Sequence, residues 1–392
     1  MEDVRSNDNE EYQEILAAIQ DMIGEQDDCT GENVEGDGGE KIMDRFAALV
    51  EKNAQLTNAE SGQSAFMQQK DLYLLLHHVC SQHRQNNSRL QLRFAQYLIE
   101  KFPAALREVD SRGLLPLHVA CRNPTVSLDF IQLLVQAWPD SVRQPTTVPI
   151  QYQQQYPVHL ACENCPRLEV IQFLVEHWPE SVGTTVSFEC KYPIHIACRT
   201  GASQSVIQYL VEQNPIVAQS TTRTGCTPLH LACSHQGPPD AIHFLTQRFP
   251  DMVETETLDC HAERLPLHCE ITRLNGARLD IVETLVEAWP EALEIPDLFG
   301  DLALHQAYIN KRTPREVIDY LTLQYPDAVS SRNVDGKTPL DYVRKKPTEA
   351  TPIQKPDEKS AIQQSSWHQF SALISSIASN VKKTRETKKM DQ

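Results

Sequence analysis

The sequence of 392 residues lacks an apolar run long enough to span a bilayer, and its N-terminus is acidic where a secretory signal peptide is basic and then apolar. It is also short of positive charge, with 36 Lys and Arg against 53 Asp and Glu. Nucleic-acid affinity depends on clustered Lys and Arg, so we expect no nucleic-acid partner. The count of eleven cysteines is odd, and several lie within apolar runs. This pattern predicts reduced, buried thiols in a soluble cytoplasmic protein with no transmembrane segment.

Signatures of catalysis are missing as well. The sequence has no Gly-rich phosphate loop, nucleophile elbow, kinase motif set or His-Glu-x-x-His motif. We therefore expect a protein that is not an enzyme, with no catalytic residue, no cofactor and no bound metal.

The sequence does contain an internal repeat, which two independent marks reveal. The first mark is a His that recurs at steps of 35 to 41 residues, at His77, His118, His159, His195, His230, His268 and His305, with Asp341 in the last slot. The second is an aromatic residue followed by Pro, at Phe102, Trp138, Trp178, Phe249, Trp289 and Tyr325, with Asn214-Pro215 as a variant. Two marks with one period predict a single structural unit copied along the chain.

Each unit is predicted to be a pair of helices followed by an extended, turn-rich segment. The stretch "PLHVACRN" begins with Pro116, which suits the first position of a helix. After a short polar turn, "LDFIQLLVQAW" places apolar residues at i, i+3, i+4 and i+7, as an amphipathic helix does. The Pro after the aromatic residue should end this second helix.

These residues resemble the ankyrin-repeat family, whose mark is Thr-Pro-Leu-His at the start of the first helix, preceded by an Asp-x-x-Gly turn. The best matches are "TRTGCTPLHLAC" from Thr222, "DSRGLLPLHVAC" from Asp110, "DLFGDLALHQA" from Asp297 and "NVDGKTPLDYV" from Asn333. The resemblance covers residues 70–346 and implies an all-α ankyrin-repeat solenoid of helix-turn-helix units with protruding loops. The units are longer than the family's usual thirty-three residues, so enlarged loops are expected.

The repeated His and a Cys one turn later allow two interpretations. They could be half of a metal site, and "CENC" at 162–165 adds a second Cys. Successive pairs should lie about 10 Å apart, the spacing of packed helices, which is too far to share one ion. In the family the His hydrogen-bonds hairpin backbone, and the aromatic residues before Pro should pack between layers. The predicted structural residues are His118, His159, His195, His230, His268, His305, Trp138, Trp178 and Trp289.

The resemblance implies a protein-interaction scaffold that binds a partner on the concave face of the array. The alternatives are an adaptor subunit that recruits a client to an enzyme through a terminal helix, and a metal- or redox-dependent catalyst built on His and Cys. The candidate partner-binding residues are variable loop-tip residues, namely Asp110, Arg112, Tyr152, Glu189, Lys191, Arg223, Asp259, His261, Asp297, Phe299, Asp335 and Lys337. The acidic stretch 251–263 favours a basic partner segment.

The flanks divide the chain into further regions. Residues 1–60 form an acidic, mostly disordered region with short helices, in which 10–23 is amphipathic. Residues 70–346 form the array, and 347–360 a Pro-rich linker. Region 361–392 contains an amphipathic segment over 365–381, followed by a basic tail. The basic tail allows a second interpretation of localisation, namely import into the nucleus. That segment could cap the array, bind a partner or self-associate, or contact a membrane surface.

Overall fold

The secondary structure is helical throughout the part of the chain that the computed structural model describes. This part comprises residues 40–51 without 42 and 49, 63–82, 88–147, 154–186, 190–258 and 262–342, and it contains no β-strand. The predictions for residues 10–23 and 365–381 lie outside it. The chain divides into two compact units, Met1–Phe188 and Glu189–Gln392. The prediction of an all-α ankyrin-repeat fold is confirmed, and no described helix is both long and apolar enough to cross a membrane.

The first unit contains three helix pairs in succession. They are α1 (Gln63–Ser81) and α2 (Ser88–Lys101), α3 (Pro116–Cys121) and α4 (Leu128–Ala137), and α5 (Pro157–Asn164) and α6 (Leu168–His177). The first helices α1, α3 and α5 pack side by side, and α2, α4 and α6 form the neighbouring layer. The stretch "LYLLLHHVC", which begins at Leu72, thus belongs to α1 of the first pair.

The second unit contains four more pairs and part of a fifth. The pairs are α7 (Pro193–Thr200) and α8 (Gln204–Gln213), α9 (Pro228–Ser234) and α10 (Pro239–Arg248), α11 (Pro266–Ile271) and α12 (Leu279–Ala288), and α13 (Ala303–Ile309) and α14 (Arg315–Gln324). The short 3-10 helix Pro339–Tyr342 stands where the next first helix would be and packs against α13.

The core is built largely from buried residues of the second helices. In α6, Val170, Ile171, Leu174 and Val175 are all buried. The same two-plus-two apolar pattern recurs on α4, α8 and α12, because residues i, i+1, i+4 and i+5 of a helix face one side. On α14 only Val317 and Leu321 are buried. Apart from α1, the first helices are short and are buried on nearly every side chain, as in α9, where only Ser234 is not buried.

The aromatic-Pro pairs both end a helix and begin another. The Trp138 N–H donates to the Leu134 carbonyl at 3.1 Å, and the Trp138 backbone then turns to φ −147° and ψ 88°. The next residue starts the 3-10 helix Pro139–Arg143, whose Ser141 and Val142 are buried. Equivalent 3-10 helices are Pro103–Arg107, Pro179–Gly183, Val217–Gln219, Pro250–Val253, Pro290–Leu293 and Pro326–Val329. The sequence analysis predicted the helix end but not the 3-10 turn.

A helical segment precedes the first pair and packs on α2. Residues 43–48 are helical, and Phe46 and Val50 are buried. The Phe46 ring lies 4.4 Å from that of Phe94 on α2, and Glu51 forms an ion pair with Lys101 at 2.9 Å. The outer side of the first helix pair is therefore covered by a segment from the N-terminal flank.

Candidate protein-binding surface

The repeated histidines fix the positions of the turns that carry the loop tips. In five of them Nδ1 accepts a hydrogen bond from the backbone N–H three residues earlier, at 3.0 to 3.2 Å. The pairs are Leu115–His118, Tyr192–His195, Thr227–His230, Leu265–His268 and Leu302–His305. In the last slot the Asp341 carboxylate accepts the Thr338 N–H instead, at 2.8 Å. In these six repeats the backbone N–H that precedes the first helix is thus satisfied by the same side-chain position.

The other ring nitrogen ties the histidine to the following extended segment. Its Nε2–H donates to a carbonyl in the next segment at 2.9 to 3.2 Å. The acceptors are Leu114 for His77, Gln144 for His118, Thr184 for His159, Ser220 for His195, Arg264 for His230 and Lys337 for His305. A ring that accepts at Nδ1 and donates from Nε2 must be the neutral tautomer.

Burial reinforces the neutral state of these rings. Because burial disfavours the charged imidazolium, the pKa of His118, His159 and His195 is lowered to about 4, although carbonyls at Nε2 act in the opposite direction. Burial also lowers the pKa of His268, to about 3. These histidines are therefore uncharged at neutral pH.

The cysteines of the repeat lie within the helix layers. Cys80, Cys121, Cys162, Cys198 and Cys233 are fully buried. Burial raises the pKa of the Cys162 thiol to about 12, so it stays protonated. In the described part of the chain, no group of three or more His, Cys, Asp and Glu side chains has the arrangement of a metal site. Buried neutral thiols fill these slots as small apolar groups.

The tryptophans at the helix ends are half-buried. The Trp178 ring meets Tyr156 edge-on at 4.9 Å between ring centroids. The Arg107 guanidinium lies over the Trp138 ring, 5.5 Å from the ring centroid. Trp289 has the same partial exposure. These rings thus border the helix layer and stay accessible on one side.

The loop tips are tight turns closed by one polar side chain. Asp297 accepts the N–H groups of Phe299 and Asp301 on one carboxylate oxygen, at 2.9 and 3.0 Å. Asp110 does the same for Arg112 and Leu114, at 2.8 and 2.9 Å. The equivalent residues Thr222 and Asn333 accept from the fourth residue of their own turns. A side chain that bonds its own backbone in this way stabilises the turn.

Neighbouring tips in each unit are joined by backbone hydrogen bonds. In the first unit the Thr147 N–H donates to the Gly113 carbonyl at 2.9 Å. Within its described residues the second unit has three such bonds, Leu258 to Thr224 at 3.0 Å, Leu298 to Ala262 at 2.9 Å and Val334 to Phe299 at 3.0 Å. These bonds connect the tips from Thr222 to Lys337 into one ladder.

The predicted partner-binding residues lie in different environments. Arg112, Arg223, Phe299, Asp335 and Lys337 are exposed, and Lys191 and Asp110 are half-buried. Asp297 is only 2 % exposed, and both of its carboxylate oxygens accept hydrogen bonds within the protein. It is therefore not part of the accessible surface of the tips. Tyr152, Glu189, Asp259 and His261 lie outside the described residues.

Two apolar tip residues were missed by the sequence analysis. Leu258 is 53 % exposed and Val334 68 % exposed, and together with Phe299, which is 37 % exposed, they form what we call the apolar tip row. Leu258 lies over Gly225 and Val334 over Gly300 of the preceding tip. The signal in the sequence was an apolar residue inside a turn that otherwise carries mostly polar residues, as in "TLDC" (257–260) and "NVDG" (333–336).

The chain is similar to known proteins that contain ankyrin repeats. Residues 158–256 match the family model for ankyrin repeats in three copies, so the prediction of an ankyrin-repeat protein is confirmed. No curated protein matches the chain. One similar solved structure is the ankyrin repeat domain of Bcl-3, described as a unique member of the IkappaB protein family. It is 22 % identical with a TM-score of 0.44, over 63 % of this chain and 96 % of that one. Ankyrin repeats generally mediate protein-protein interaction.

Gly300 is expected to tolerate substitution less well than Gly336, its counterpart on the next tip. Both have positive φ, +74° and +73°, so alanine brings left-handed strain of about 1 to 2 kcal/mol at either site. At Gly300 a Cβ would also lie 2.9 Å from the Val334 nitrogen, whereas Gly336 has nothing within 4 Å. Urea unfolding should show Gly300→Ala as the more destabilising by about 1 kcal/mol or more. Equal losses would contradict the close contact between tips.

Proposed function

We propose that this protein is a non-enzymatic scaffold that binds another protein along the tips of its second unit. The observation that carries the proposal is the apolar tip row of Leu258, Phe299 and Val334, each exposed on a turn of its own. The free state of all nine cysteines in the described part of the chain supports a reducing compartment such as the cytoplasm.

The row differs from scattered exposed apolar residues. Single exposed hydrophobic side chains are normal on protein surfaces, whereas grouped ones accompany interaction sites. Leu258 and Val334 are held by backbone hydrogen bonds to the preceding tips, and Phe299 supplies the accepting carbonyl for Val334. A surface fixed before binding loses little conformational entropy when a partner docks.

Charge around the row favours a partner segment with basic residues. Glu254 and Glu256 are exposed on the stretch that leads to Leu258, and Asp335 is exposed beside Val334. The nearest cations in the sequence to Val334 are Arg332 and Lys337. Arg332 donates to the Gly336 carbonyl, and Lys337 is 3.4 Å from the Asp335 carboxylate. Such a surface attracts positive charge mainly by raising the association rate. The proposed partner therefore presents apolar side chains flanked by Lys or Arg.

The triple variant Leu258→Ser, Phe299→Ser and Val334→Ser should lose partner binding while the fold is kept. Three exposed apolar contacts at about 1 kcal/mol each correspond to a loss of affinity of roughly 100-fold. Proteins retained on the immobilised wild-type chain would first be identified, and the purified partner then titrated against each variant.

The matched control changes apolar residues that are as exposed but lie off the tips. Ile216 is 81 % exposed and Leu274 77 % exposed, so Ile216→Ser with Leu274→Ser removes similar surface. Its affinity should equal that of the wild type, and circular dichroism should show both variants folded. If the control variant loses the partner and the tip variant keeps it, the tips are not the binding surface.

A further inference from the structure

The last repeat of the second unit is incomplete in the described part of the chain. In every complete repeat the first helix packs against the second helix of the same repeat. The closing 3-10 helix Pro339–Tyr342 is the start of a first helix, with Thr338-Pro339-Leu340 in the positions of Thr227-Pro228-Leu229. No second helix follows it within residues 262–342.

An exposed leucine marks the place where that second helix belongs. Leu340 is 50 % exposed, whereas Leu229, Leu267 and Leu304 at the same position are at most 2 % exposed. In the complete repeats this leucine is covered, and a second helix packed on the closing 3-10 helix would cover Leu340.

The second helix α14 is also less covered than its predecessor. Ile318 on α14 is only half-buried, whereas its equivalent Val282 is fully buried on α12, which packs against α14. A further second helix beside α14 would cover Ile318 in the same way.

The C-terminal flank contains a segment with the pattern of a second helix. The two-plus-two apolar pattern of "VIQFLV" (170–175) and "IVETLV" (281–286) recurs in "LISSIA" (373–378). Residues 365–381 carry no Asp, Glu, Lys or Arg. The polar positions between the two apolar pairs are Ser375 and Ser376, as an exposed helix face requires.

Charge and chain length are compatible with docking of this segment. The exposed part of α14 includes Glu316 and Asp319, and residues 382–389 contain five Lys or Arg against one Glu. The apolar pattern begins 34 residues after Pro339, compared with 14 residues from Pro116 to Phe130. About twenty extra residues form a longer loop, and the entropic cost of closing a loop grows only with the logarithm of its length.

We propose that residues 365–381 fold back as the missing second helix of the last repeat and cover Ile318 and Leu340. The basic residues 382–389 then lie near the acidic residues of α14. The first unit offers a parallel, since the segment with Phe46 and Val50 covers α2 there. This proposal does not depend on the apolar tip row.

Hydrogen exchange of the full chain tests the proposal. The variant Ile374→Asp with Ile377→Asp places charges in the apolar pairs, and Ser375→Asp with Ser376→Asp places the same charges on the polar face. The first variant should speed exchange of peptides from α14 and 339–342 by about tenfold or more, and the second should leave exchange as in the wild type. Leu340→Asp should in turn speed exchange over 365–381, while Leu274→Asp should not.

Other occupants of this face give distinguishable results. Protection of α14 that rises with protein concentration, together with a dimer by light scattering, would show that a second copy covers it and would overturn the proposal. Protection over 365–381 that requires anionic phospholipid vesicles would assign the segment to a membrane surface instead. Identical exchange of α14 in the wild type and in Ile374→Asp with Ile377→Asp would also overturn it.

Discussion

Lowering the pH from 6.5 to 5.5 should destabilise this protein by about 1 kcal/mol for each deeply buried histidine, about 4 kcal/mol for four of them. His118, His159 and His195 have a pKa of about 4 in the folded chain, and His268 of about 3, because burial disfavours their charged forms. The unfolded chain has ordinary histidines with a pKa near 6.5. Between these values the unfolded state binds more protons, so stability falls as the pH falls.

The measurement is the free energy of urea unfolding at several pH values between 7.5 and 5. Stability should be level above pH 7, where both states are uncharged, and should decrease steeply below pH 6.5. Two of the four histidines lie in each unit, so separate unfolding of the units would show about half the loss in each transition. Carboxylates near their ordinary pKa titrate mostly below this window.

His195→Ala provides the variant for this experiment, and His177→Ala its control. At neutral pH His195→Ala should lose about 2 to 4 kcal/mol, because the Tyr192 N–H and the Ser220 carbonyl lose their partner and a cavity opens. Below pH 6.5 the unfolding of this variant should take up about one proton fewer than that of the wild type, so its stability should fall less as the pH falls. His177 is exposed, and His177→Ala should change the stability at neutral pH by no more than about 0.5 kcal/mol. A profile that stays as steep in His195→Ala would contradict the assignment.

The repeated framework could be predicted from the sequence because its signals are local. A Pro at the first helical position and a His three residues after the cap act within one turn, so the spacing alone indicates the unit. The same holds for Trp138-Pro139, where the end of the helix was predicted. The 3-10 helix after it was not predicted. It depends on the burial of Ser141 and Val142, and five residues are too few to show a periodic apolar pattern in the sequence.

The candidate surface was harder to predict, because exposure at a tip depends on tertiary contacts. Asp297 and Asp335 are both acidic tip residues, but Asp297 stands first in its turn and is buried, whereas Asp335 stands third in its turn and is exposed. Leu258 was not singled out, although the ladder of backbone bonds turns it outward. Which residues of a turn bond inward and which remain accessible follows from hydrogen bonds made to the next repeat.

The pair formed by Glu270 and Arg278 should give the other large effect on stability. Glu270 is completely buried at a helix position that holds Ala120, Ala161, Ala197 or Ala232 in other repeats. The Arg278 guanidinium binds both of its carboxylate oxygens, at 2.9 and 2.6 Å, and donates to the Gly237 carbonyl at 2.5 Å. Arg278→Ala should therefore cost about 3 to 5 kcal/mol in urea unfolding, because it leaves a buried carboxylate without its cation.

Arg167→Ala is the matched control for this variant. Arg167 occupies the same cap position on α6 and donates to the Val126 carbonyl at 2.7 Å, but its partner Glu169 is 44 % exposed. Its loss should cost only about 1 kcal/mol, because water can solvate the carboxylate. Glu270→Ala restores the residue of the other repeats, so Glu270→Ala with Arg278→Ala should be more stable than Arg278→Ala alone. If the double variant were the less stable, the cost of Arg278→Ala would not come from an unpaired buried charge.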